Sequence, residues 1–260
     1  MTKSEDTQPV FPPEIEEIIF SLYAQRNLKK SGNLILVAKR VYHWLRPWLY
    51  EVVIFHEDTT HDRLKFNSAL LEIHGQHVRH ILFWEITALK HYSDNPVACL
   101  SWCPHVVNVA LWSFNIVYDG ALVNKLLSLH LTHLSLDVSL LHSAVTKYLL
   151  SKPVAFISVT HLEIIEIIDP TTNQIEQYFP SVTHLALSQG LGPSAQDILQ
   201  CWKNKLEVLV WYVGRWMFGG DPGINSTIAG DVPNDPRVVV MPQRRDCVYD
   251  WNETTRDGPG

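Results

Sequence analysis

Four cysteines in 260 residues are too few and too scattered for a disulfide framework. Cys99 and Cys103 stand four apart, but no second pair follows at the spacing of a zinc site. Cys99, Cys103, Cys201 and Cys247 are therefore read as free thiols, and no metal is expected. Basic charge is also scarce: 21 Lys and Arg face 27 Asp and Glu, a net −6 with neutral histidine. A broad nucleic-acid surface needs clustered basic excess, so nucleic acid is not expected as a partner. No apolar run approaches the roughly 20 residues that span a bilayer, so no membrane partner is expected. The first residues, Met1-Thr2-Lys3-Ser4-Glu5-Asp6, lack the apolar stretch of a secretory leader. The expected location is intracellular, in cytoplasm or nucleus. Charged residues make up 18% against 46% hydrophobic, which is a folding composition. The length suits one large domain or two small ones.

Enzyme signatures are missing as well. His56-Glu57-Asp58-Thr59-Thr60-His61 resembles a zinc-protease motif, but its histidines are five apart, and on a helix the rings diverge by about 140°. Gly190-Leu191-Gly192 lacks the third glycine of a dinucleotide loop. No nucleophile elbow or phosphate loop occurs. A non-catalytic protein without a cofactor is expected.

What is present begins with helical periodicity. After Pro12 and Pro13, residues Ile15, Ile18, Ile19 and Leu22 fall at i, i+3, i+4 and i+7, one helix face. Proline suits the first turn, and Glu14, Glu16 and Glu17 favour the positive end of the macrodipole. A polar linker, Lys29 to Asn33, leads to a second stripe of Leu34, Val37, Val41, Leu45 and Trp48. Pro47 is expected to end or kink that helix near Arg46. Val52 to Phe55 reads as a short buried strand.

A repeat governs the remainder. Ser158-Val159-Thr160-His161-Leu162 recurs as Ser181-Val182-Thr183-His184-Leu185. More loosely, apolar residues occupy positions one, four and six of six segments. These are Val78/Ile81/Phe83, Val106/Val109/Leu111, Leu131/Leu134/Leu136, Val159/Leu162/Ile164, Val182/Leu185/Leu187 and Leu206/Leu209/Trp211. Their first positions are 28, 25, 28, 23 and 24 residues apart, within the 20–29 range of a leucine-rich repeat. A weaker copy begins at Val238. Helical stripes intervene: Phe66/Leu70/Ile73, Leu122/Leu126/Leu129, Leu141/Val145/Tyr148 and Ala195/Ile198/Leu199/Trp202. Strand and helix alternating at this period imply parallel strands, each with a covering segment. The asparagine usual at position nine is absent, so an irregular solenoid is expected. The fold class is α/β: a small helical head, then a leucine-rich-repeat-like solenoid with a parallel sheet. Residues 1–10 form a disordered lead, 11–56 the head, 57–242 the repeat domain and 243–260 a flexible tail. Within the repeat domain, 213–236 reads as a glycine-rich loop.

The head resembles a known family. Phe11-Pro12-Pro13-Glu14-Ile15 through Leu22 looks like the first helix of an F-box. Leu34-Ile35-Leu36-Val37-Ala38-Lys39-Arg40-Val41 resembles its second conserved stretch. Arg46-Pro47-Trp48-Leu49-Tyr50-Glu51-Val52-Val53 resembles the exit found in fungal F-box-like proteins. The resemblance implies a substrate-receptor subunit of a Skp–cullin–F-box ubiquitin ligase. Such a subunit docks a Skp-family adaptor, and through it a cullin, and captures a protein target on its repeats. It acts by tethering, without a catalytic residue of its own. Adaptor docking is expected at Phe11, Pro12, Ile15, Ile18, Ile19, Leu34 and Val37. The other reading of the same helices is a cap on the solenoid, in a protein-interaction scaffold outside any ligase. The cap reading buries these side chains, whereas the receptor reading leaves them exposed.

His80, His133, His161 and His184 each precede the fourth position of a repeat, and Asn108 fills the same slot in another. Alternation directs this slot away from the core, to an open face. The row could bind metal or sense pH; hydrogen bonding along the strands is the plainer expectation. These histidines, with Trp84, Trp112, Glu163 and Tyr212 on the same face, are the candidate contacts for a target.

Overall fold

The computed structural model describes residues 11–56, 68–84, 96–112, 120–137, 156–165, 172–188, 195–203, 205–213 and 234–242. The lead, the tail, most of the glycine-rich loop and the stripe Leu141/Val145/Tyr148 lie outside the described residues. Two units divide between Val52 and Val53.

The first unit holds three helices: α1 (Pro13–Arg26), α2 (Leu28–Leu34) and α3 (Lys39–Leu49). Helix α1 opens as its sequence suggests. Pro13 occupies the first turn, where no amide partner is needed, and the Pro12 carbonyl accepts the amides of Ile15 and Glu16 at 3.0 and 3.1 Å. Its inward face carries Glu16, Phe20 and Ala24 rather than the isoleucine stripe. Ala24, Val41 and Leu45 are the buried centre, with Phe20, Leu34, Ile35, Trp44 and Trp48 packed around them. The Phe20 and Trp44 rings lie 6.3 Å apart, and Arg40 meets Glu16 at 2.7 Å.

Two local expectations need correction. The polar linker is helical: Ser31, fully buried, donates its hydroxyl to the Asn27 carbonyl at 3.0 Å, and the small side chain lets α2 pack closely. The second stripe is consequently broken, with Leu34 ending α2, Val37 in a turn and Ala38 extended before α3. Pro47 does not stop α3, which continues to Leu49. Only the last turn lies beyond the proline. The Tyr50 amide closes it on the Arg46 carbonyl at 3.3 Å.

The second unit is built on an eight-stranded sheet whose strands follow chain order. They are β1 (Val52–His56), β2 (His80–Trp84), β3 (Asn108–Trp112), β4 (His133–Asp137), β5 (His161–Ile165), β6 (His184–Ser188), β7 (Val208–Val213) and β8 (Val238–Pro242). From β2 onward every neighbour is parallel. Helices α4 (Ser68–His74), α5 (Pro96–Ser101), α6 (Gly120–Ser128), α7 (Thr172–Tyr178) and α8 (Ala195–Cys201) fall between strands. The sequence repeat sets the register: His80, Asn108, His133, His161, His184 and Val208 align across six strands.

Positions one, four and six of all six repeats are buried in a single core. Leu122, Leu126, Leu129, Ala195, Ile198, Leu199 and Trp202 pack into it as their stripes suggest. Stacked Phe55 and Phe83, and stacked Phe156 and Phe179, add aromatic contacts, each pair at 5.0 Å. Two patterns are out of phase. On α4 it is Leu71 and His74 that turn inward, while Ile73 is exposed. Val238 pairs with Leu209, so it occupies position four rather than position one.

Two glycines test the packing. A Cβ at Gly75 would overlap the carbonyl of Trp102, backbone that cannot step aside. Gly32, inside α2, has open space around it. Gly75→Ala should therefore destabilise by about 1–3 kcal/mol or more. Gly32→Ala should be neutral or stabilise by up to about 1 kcal/mol. Urea denaturation of both variants reads the contrast, and equal midpoints would contradict this packing.

Candidate functional site

Two surfaces collect the residues singled out from the sequence. The first is the outer face of α1. The stripe of Ile15, Ile18, Ile19 and Leu22 points to solvent, with Ile18 54% exposed. Phe11, Tyr23, Leu36 and Val37 are also exposed, and Val37 is 65% accessible in its turn. Pro12 is exposed at the helix start, and Leu34 is half-buried. The helix therefore buries its less apolar side and displays the more apolar one. An exposed apolar group of this extent marks an interaction surface.

The second surface is the sheet face opposite the core. The rings of His133 and His161 stack at 4.2 Å, and those of His161 and His184 stack at the same distance. Parallel strands in register force this arrangement, since identical side chains on adjacent strands are about 4.8 Å apart. Each ring is held by the threonine before it. The hydroxyls of Thr132, Thr160 and Thr183 lie 2.9, 2.9 and 2.8 Å from the Nδ1 atoms of His133, His161 and His184.

The Val107 carbonyl accepts the amides of Thr132 and His133 at 2.9 and 3.1 Å. The Thr132 carbonyl likewise accepts the amides of Thr160 and His161. The hydroxyls of Thr132 and Thr160 also donate to these two carbonyls, each at 3.3 Å.

Charge is disfavoured on His80, His133 and His161. Burial first, then His133 and His184, hold His161 down at about 4. His133 is lowered by burial and by His80 and His184. His80, whose Nδ1 is buried with no partner among the described residues, is held at about 4 by burial and by Arg79. Asn108 lies between His80 and His133 and is buried.

Further along the same face, Trp112 donates its Nε1 hydrogen to the Ser135 hydroxyl at 2.6 Å. Ser135 in turn donates to Glu163 Oε2 at 2.6 Å. Burial raises the Glu163 carboxyl, and the Ser135 hydrogen bond only partly opposes this. The expected open face is corrected here: Trp112, Ser135, Leu82, Ala110 and Ile165 are all buried. Parallel sheets characteristically bury both faces. Glu163, Trp84, Tyr212 and the four histidines keep partial exposure. Ser135 and the three threonines were missed as functional partners. The shared Thr-His-Leu tripeptide carried the threonine signal, but their reach to the following ring depends on strand geometry.

Among the described residues, no three His, Cys, Asp or Glu side chains are placed to hold a metal ion. Cys99 and Cys103 are both buried, and burial pushes the Cys103 thiol up to about 12. No helix among the described residues is long and apolar enough to cross a membrane.

The histidines impose a pH dependence with a definite sign. His80 and His161 fall from 6.5 to about 4 on folding. Between those values the unfolded chain binds more protons, so stability is full above 6.5 and declines as pH falls towards 4. The loss is on the order of 1–3 kcal/mol per imidazole after allowance for partial exposure. Glu163, with its raised carboxyl, works in the opposite direction above its ordinary value. Urea midpoints measured across that window should fall with pH, and His161→Gln should flatten the slope. An unchanged slope would contradict the lowering of His161.

No protein-family model matches the chain, and no curated protein matches its sequence.

Proposed function

We propose that the chain is an F-box-like substrate receptor of a Skp–cullin–F-box ubiquitin ligase, with leucine-rich-repeat-like target-binding strands. The observation that carries this reading is the exposed apolar face of α1. Within the first unit Ile15, Ile18, Ile19 and Leu22 are all exposed, which is the apolar surface that a docking helix needs. The resemblance of residues 11–53 to the F-box names the occupant, a Skp-family adaptor. Burying a large aliphatic side chain contributes about 1.5–3 kcal/mol. Four such residues, joined by Phe11, Leu36 and Val37, can hold an adaptor once the cost of association is met.

On this reading the partly exposed side chains of the second sheet face, among them His80, Trp84, His133, His161, His184 and Tyr212, supply the target contacts, and the buried Trp112 does not. The polar groups of this face are fixed by the strands rather than by mobile loops, which suits a recognition surface. The receptor works by proximity. It holds a target near a ubiquitin-charged enzyme and raises its effective concentration there. The chain contributes no catalytic residue and needs no cofactor.

The test is binding of the purified chain to a Skp-family adaptor. Wild type should form a one-to-one complex, and Ile15→Asp with Ile18→Asp should abolish it. Both positions are exposed, so the double variant should keep the wild-type circular dichroism spectrum and urea midpoint. Absence of binding by folded wild type at micromolar concentration would reject the receptor reading.

A further inference from the structure

We draw no further inference here: the strongest candidate, the outer edge of β8 where Val239 and Val240 are exposed, is an apolar strand surface at the end of the sheet for which nothing in the structure shows what covers it.

Discussion

At the start of five successive strands, two consecutive amides converge on one carbonyl of the neighbouring strand. Val107 and Asn108 meet Arg79. Thr132 and His133 meet Val107, Thr160 and His161 meet Thr132, and Thr183 and His184 meet Thr160. Glu207 and Val208 then meet Thr183. Bond lengths run from 2.8 to 3.1 Å. This bifurcated contact fixes the register before any side chain is considered. A slip by one residue would exchange the two faces of every strand. With the register held, positions four and six fall together into one core, and position three falls together on the other face. The histidine stack follows from that backbone rule, and so do the aliphatic ladders.

The sheet was largely legible because its signal is repeated. One triplet of apolar residues means little in a chain that is 46% hydrophobic. Six at near-constant spacing fix strand position, face and pairing together. The breakdown of that reading at β8 is instructive. A longer separation removes the period, and Val238 then takes position four, beside Leu209. On α4 the stripe was read one residue out of phase, because a helix of seven residues shows too few turns to fix it. The buried second face was not legible either. Alternation assigns Leu82, Ala110 and Trp112 to that face without revealing what lies above it.

The head shows the complementary limit. Its periodicity identified a stripe on α1 correctly and said nothing about which way it turns. The helix buries Ala24 and half-buries Glu16 and Phe20, and the choice becomes clear only when α3 is in place. Arg40 pairs with Glu16, Trp44 meets Phe20, and Val41 and Leu45 close over Ala24. Small and ion-paired side chains line the inner face, so the centre of the unit is three residues deep. The larger aliphatic side chains of α1 remain exposed in this unit. Lys29 to Asn33 read as a linker because composition hides what a buried Ser31 can do.

The two polar features of the sheet follow from the same register. The hydroxyls of Thr132, Thr160 and Thr183 sit within hydrogen-bond distance of the Nδ1 atoms that follow them, and those of Thr132 and Thr160 also reach a carbonyl of the neighbouring strand. The rings of His133, His161 and His184 stand 4.2 Å apart, so a charge on one would repel a charge on the next across a poorly hydrated gap. Burial and that repulsion together disfavour protonation of His133 and His161. Further along the same face Trp112, Ser135 and Glu163 form a relay across three strands, and burial raises its carboxyl as it lowers the imidazoles. Desolvation thus disfavours charge at both features, and among the described residues this face is held together by hydrogen bonds.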